Sequence, residues 1–188
     1  MKGRPLEPAL LVAHPDHAAI AVRQVSARIL SMDANWLCLR WRVEGTSALI
    51  IPPFAGRART DGLWQSTCFE LFLAEDDAAA GGAYAEFNFA PSERWAAYDF
   101  DGYRAGMAPR PLSREPVLTP RRGQDLLIFD AALPMAGLPQ HPWRIGLSAV
   151  LEEAGGAKSY WALVHPRGKP DFHHAACFAA QVGAPEAP

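Results

Sequence analysis

Apolar and polar residues alternate with a period of two along most of this chain, and that alternation predicts β-strands. Residues 19–30 (AIAVRQVSARIL) place Val25, Ala27 and Ile29 on one face and Gln24, Ser26 and Arg28 on the other. Residues 36–43 (WLCLRWRV) repeat the pattern, with Leu37, Leu39, Trp41 and Val43 opposite Trp36, Cys38, Arg40 and Arg42. SMDAN supplies a turn between them, and Glu44-Gly45-Thr46 turns into a short strand at 47–51, so the first fifty residues read as a three-stranded antiparallel meander. Residues 1–18, interrupted by Pro5, Pro8 and Pro15, show no period and read as an irregular lead-in.

The pattern continues after a loop at Pro52–Gly62. Strands are expected at 67–73 and 84–90, then at 115–119 and 125–133 as a hairpin around PRRG. Residues 143–151 and 159–164 are expected to pair across EEAGGAK, with one more strand in the tail and fraying at 184–188. The Pro-rich passage AGMAPRPLSREP cannot be an interior strand. Only AEDDAAA, 74–80, has local helical character, and it is too short to stand alone. About nine to eleven strands with turns every eight to twelve residues predict an all-β fold with little helix, an antiparallel β-sandwich in one domain spanning 1–188.

The chemistry concentrates in one stretch, Trp64 to Arg104. Strand 67–73 puts Phe69, Leu71 and Leu73 inward and Cys68, Glu70 and Phe72 on the other face; strand 84–90 puts Ala85, Phe87 and Phe89 inward and Tyr84, Glu86 and Asn88 opposite. Parity requires the two glutamates to share a face. If Glu70 faces Glu86 directly, two carboxylates meet; if the register moves by two, Glu70 faces Asn88 and Phe72 faces Glu86. Both registers leave acids that need a cation, a shared proton or a ligand hydroxyl, with Arg94, Arg104, Arg144 and Lys158 as candidate cations. A solvated polar face with salt bridges would also account for them. The tryptophans in and beyond the stretch favour a ligand surface: Trp64, Trp95 and Trp161 as stacking platforms, Glu70, Glu86 and Asn88 for hydroxyls, and Arg94 or Arg104 to balance charge.

Composition narrows the class. With 49% hydrophobic and 20% charged residues, the chain suits a globular domain, and its 17 prolines and 15 glycines fall as punctuation between apolar runs. A net charge of −2 leaves no electrostatic footprint for nucleic acid or a membrane surface. No signal-peptide core or membrane-spanning run is found, so a cytoplasmic protein is expected. Cys38, Cys68 and Cys177 are odd in number and outside any CxxC, as buried small hydrophobes would be.

Other constellations carry less. His165, His173 and His174 lie in HPRGKPDFHH, but adjacent histidines in an extended segment point apart, so they are weak candidates for a metal or haem site. A glycosidase-style Glu70/Glu86 pair lacks further support, and no nucleophile, phosphate-loop or dinucleotide motif is present.

The blocks LWQSTCFELFL, YAEFNFAPSERWAAYDFDGYR, IGLSAVLEE and SYWALVHPRGKPDFHH resemble the bacterial DOMON-like proteins, within the wider group of DOMON and family 9 carbohydrate-binding-module sandwiches. The resemblance covers roughly residues 20–180. It implies an immunoglobulin-like or jelly-roll-like sandwich that binds sugar or haem, and it carries a sugar-binding role to Trp64, Glu70, Glu86 and Asn88. A matching Met and His for haem cannot be placed. The expected function is a non-catalytic module binding a small, carbohydrate-like molecule, with no required cofactor. The alternatives are haem or metal binding through the 165–174 loop, and a protein-interaction domain.

Overall fold

The computed structural model describes residues 7–76 and 81–183. The alternating segments form strands, numbered here in chain order. One layer runs β1 (Ala9–Ala13), β2 (Gln24–Met32), β3 (Trp36–Glu44), β10 (Leu126–Pro134) and β9 (Val117–Arg122). The other runs β4 (Ala58–Arg59), β7 (Arg94–Phe100), β6 (Tyr84–Phe89), β5 (Cys68–Glu75), β11 (Trp143–Glu153) and β12 (Ala157–Ala162), and then returns to β1. Two short strands flank this second layer, β8 (Ala108–Pro109) beside β7 and β13 (Ala180–Val182) beside β11. Neighbours are antiparallel except β4 and β7. Strand β1 belongs to both layers: Ala9–Leu11 pair with β2, and Val12–Ala13 pair with β12. The fold is therefore a β-sandwich made from one sheet curled over itself.

The core lies where the inward faces of the two layers meet. Val25, Leu39, Trp41, Val43, Leu127 and Phe129 from the first layer pack on Phe69, Leu71, Phe87, Phe89, Ile145 and Leu151 from the second, all fully buried. Aromatic rings tie the layers together: Phe69 stacks on Phe129 at 4.6 Å, and Trp41 lies 5.6 Å from Phe69 and 6.2 Å from Phe89. Removing such a ring from a packed core costs roughly 3–5 kcal/mol.

Several expectations need correction. The lead-in is not irregular throughout, since Ala9–Ala13 forms the shared strand β1, with Leu11 buried and Leu10 and Val12 exposed. The alternation at 19–23 does not become strand. Instead the N–H groups of Ile20, Ala21 and Val22 donate to the carboxylate of Glu153 at 2.7, 2.6 and 3.1 Å. Residues 47–51 make only an isolated bridge, Leu49 to Glu153, because the chain there crosses from the first layer to the second. The PRRG segment is not a turn: Pro120–Arg122 continue β9 on the sheet edge, where a missing N–H is tolerated. Of the stretch 74–80, Ala74 and Glu75 extend β5, and 77–80 lie outside the described residues, as do residues 184–188. Short 3₁₀ turns occur at Leu63–Gln65, Ala154–Gly156 and Ala175–Cys177, and no helix among the described residues is long and apolar enough to cross a membrane. The three cysteines are free, with Cys68 and Cys177 buried and Cys38 half-buried.

Glu153 is fully buried and stands in for a strand partner along residues 20–22. Truncating it strands three N–H donors that lose a charged acceptor, each such loss costing about 1–3 kcal/mol. Glu153→Ala should therefore lower unfolding free energy by roughly 3 kcal/mol or more in urea titration, and Glu153→Gln, which keeps one acceptor oxygen, should lose clearly less.

Candidate functional site

Strands β5 and β6 are buried on both faces, although their alternation resembles that of half-exposed strands. The register pairs Glu70 with Asn88 and Phe72 with Glu86, which keeps the two carboxyls diagonal rather than directly opposed. Their face is covered by two segments, 101–107 and 163–178. The cover seats closely because position 146 on β11 is glycine: a Cβ there would lie 3.0 Å from the Phe178 ring and 3.2 Å from the Cys177 carbonyl oxygen. Phe72, Tyr84, Tyr98 and Phe100 from the sheet and Phe172 and Phe178 from the cover form a second apolar cluster.

Between sheet and cover is a cavity of about 340 Å³, within the usual range of small-molecule sites, roughly 300–1,000 Å³. Its floor carries Glu70 from β5 and Glu86 from β6. Tyr98 and Phe100 from β7, Val150 from β11 and Tyr160 from β12 form walls, with Phe172 and His173 from the cover. Trp64, at 41% exposure, stands at the mouth, edge-on to Tyr98 at 6.4 Å, near Arg104 and Met107.

The floor is hydrogen-bonded by neutral groups. Ser148 Oγ donates to Glu70 Oε2 at 3.1 Å, and Asn88 Nδ2 donates to Glu86 Oε1 at 2.8 Å. Asn88 Oδ1 is buried without a hydrogen-bond partner. Burial, reinforced by the neighbouring Glu86, raises Glu70 to about 8, against the opposing pull of the Ser148 bond and Arg104. Burial likewise raises Glu86 to about 7, opposed by its Asn88 bond and by Arg104. Near neutral pH the pair thus retains protons, and the floor presents both hydroxyl donors and carboxylate acceptors.

A chain of bonds fixes the cover above it. The Arg104 N–H donates to Tyr84 Oη at 3.3 Å, which leaves the phenol to donate to His173 Nδ1 at 2.7 Å. The remaining nitrogen, Nε2, then carries the proton and points at Glu86 Oε2, 3.9 Å away. That gap is too long for a direct bond but fits one bridging hydroxyl. Burial, aided by Arg104, lowers His173 to about 4, so it is neutral in this role. Arg104 has φ 52, the left-handed region that a non-glycine residue adopts at a cost. Its guanidinium is held not by the glutamates but by Asp171 Oδ1, through Nη2 at 2.8 Å and Nε at 3.2 Å.

Of the residues singled out in sequence, Trp64, Glu70, Glu86 and Arg104 meet at this cavity, and Asn88 lies beneath it. Trp95 and Trp161 do not. Their register partners, Phe89 and Ala149, face the core, and both tryptophans are buried there. Arg94 binds the Ala55 carbonyl instead of the acids. The histidines diverge: His173 lines the cavity, His174 caps the 175–177 turn through Nδ1, and His165 bonds the Val12 carbonyl at 2.9 Å. Among the described residues, no three His, Cys, Asp or Glu side chains converge to hold a metal ion. Tyr98, Phe100 and Tyr160, which replace the two misplaced tryptophans as cavity walls, share the even parity of Glu70 and Glu86; carrying that parity into β7 and β12 would have found them.

No family model matches the chain, and no curated protein matches it in sequence. Solved structures do. A carbohydrate binding module family 9 (CBM9) from Caldicellulosiruptor kristjanssonii in complex with cellotriose superimposes with a TM-score of 0.55 at 13% identity, covering 93% of this chain and 82% of that one. A family 9 module from the same organism in complex with glucose gives 0.49 at 14% identity, over 93% and 83%. At 13% identity the first likeness is one of fold, and the β-sandwich is shared.

The carboxyl pair makes stability depend on pH with a defined sign. Its folded pKa values lie above the ordinary carboxylate value, so its stabilising contribution is complete below about 4.5 and is lost as pH rises through 7 and 8. His173, lowered in the fold, contributes oppositely, but only below about 6.5. Between pH 6.5 and 8, denaturant unfolding should therefore show stability falling by up to about 1.4 kcal/mol per pH unit for each proton that the fold holds and unfolding releases. Glu70→Gln should flatten that fall and be more stable than the parent at pH 8. Separately, Arg104→Gly should be about 1 kcal/mol more stable than Arg104→Ala, since only glycine relieves the left-handed backbone.

Proposed function

We propose that this chain is a non-catalytic β-sandwich module that holds a small carbohydrate-like ligand in the cavity above Glu70 and Glu86. One observation carries the reading: a buried carboxyl pair floors a chamber whose walls are aromatic. A sugar presents hydroxyls that both donate and accept, and C–H faces that pack on rings. The floor offers both hydrogen-bonding roles, and Tyr98, Phe100, Tyr160 and Phe172 offer ring surface, with Trp64 at the entrance. The 3.9 Å gap between His173 Nε2 and Glu86 Oε2 suits one such hydroxyl. The shared fold with a family 9 module solved with cellotriose supports this reading, as does the resemblance to DOMON-like proteins.

Binding is favoured over glycoside hydrolysis by the placement of the acids. A glycosidase sets its two carboxyls on either side of the scissile bond. Here both rise from adjacent strands of one sheet face. An ion-pair role for the acids is disfavoured because Arg104, the cation at the cavity, is engaged by Asp171.

Isothermal calorimetry against neutral and charged mono- and disaccharides tests the proposal. Binding should occur and should weaken about tenfold in Trp64→Ala, which removes a ring from the mouth, and at least as much in Glu86→Gln. Absence of binding across the panel, or binding that neither substitution alters, would overturn it.

A further inference from the structure

The cavity continues outward into a second depression of about 700 Å³, which shares Arg104 and Pro170 with it. Arg167, Lys169, Asp171 and Tyr103 line this shelf. Its one carboxylate is already engaged: Asp171 Oδ1 accepts from Arg104 and from the His173 N–H, and Oδ2 accepts from the Tyr103 hydroxyl. The charges of Arg104 and Asp171 therefore cancel locally. Arg167 and Lys169 have no carboxylate partner among the described residues, and both are exposed. They leave the shelf cationic on a chain whose net charge is −2.

The shelf cations sit on an anchored turn. Gly168 lies between them at φ 99, where only glycine is at ease. Its carbonyl is bonded at 2.8 Å by Nε2 of His14, a histidine that is 2% exposed. This buried side chain, close to the start of the chain, thus fixes the turn that presents Arg167 and Lys169 beside the cavity.

We propose that the ligand is an anionic sugar: its hydroxylated ring occupies the chamber over Glu70 and Glu86, and its carboxylate or phosphate ester seats on Arg167 and Lys169. The inference rests on the carbohydrate reading above and adds the charge class. Cations of this kind raise both association rate and affinity for an anion, and they do so less as salt screens them. The raised pKa values of the floor acids reduce their charge near neutral pH, and so reduce their repulsion of such a ligand.

The test is calorimetry on the whole chain with matched probes: glucose against glucuronate, glucose against glucose 6-phosphate, xylose against xylose 5-phosphate, with acetate and inorganic phosphate alone as controls. The parent is compared with an Arg167→Ala, Lys169→Ala double variant, whose substitutions are at exposed positions. An anionic member should bind at least fivefold more tightly than its neutral counterpart at low ionic strength. That advantage should shrink with added salt and vanish in the double variant, while affinity for the neutral sugar stays unchanged. Equal affinity for neutral and anionic members, or an advantage that survives the double variant, would overturn the inference and leave the carbohydrate reading standing. Control anions binding as well as the sugars would overturn it in favour of a bare anion site. If no sugar of either kind binds, the carbohydrate reading fails and the inference with it.

Discussion

Burial of both faces of the β5–β6 hairpin is the constraint on which the rest depends. One face must join the aromatic core between the layers, where Phe69, Phe87 and Phe89 meet Trp41 and Phe129. The other face then cannot be ordinary solvated surface, because the 101–107 and 163–178 segments lie over it. Polar groups under a cover must find partners. Glu70 and Glu86 find them in Ser148, Asn88 and retained protons, not in a bound arginine. Burying two carboxyl groups in this way costs the fold stability.

The cover is held by a few specific contacts. Gly146 removes a side chain where the 175–178 segment descends on β11. Tyr84 joins the Arg104 backbone to His173, and Asp171 gathers Arg104, Tyr103 and the His173 N–H. These bonds cross between the two covering segments and the sheet, and two of the residues they join, Arg104 and His173, also line the cavity. The strained backbone at Arg104 belongs to that arrangement, since its N–H is the donor to Tyr84.

The central hairpin was largely legible in advance because period-two alternation reports side-chain direction. Parity alone put Glu70, Glu86 and Asn88 on one face and left two registers, and the structure adopts the one that separates the carboxyls. The same parity separates two of the tryptophans from the site. Trp95 and Trp161 are aromatic and near the site in sequence, yet they fall on the core parity and pack inward. Aromatic content signals burial as readily as it signals a stacking platform, and only the register distinguishes the two. Glu153 was invisible for a related reason: three backbone donors 131–133 residues away in sequence are what make it buried.

The sequence by itself determined the all-β class, the faces of most strands and the shared face of the two glutamates, because these follow from local alternation. The tertiary structure alone decided that this face is roofed, that Arg104 turns to Asp171, that His14 anchors the Gly168 turn, and that the lead-in strand β1 joins two layers. Those outcomes rest on contacts between segments far apart in the chain, and no periodicity within a segment encodes which distant segment will cover it.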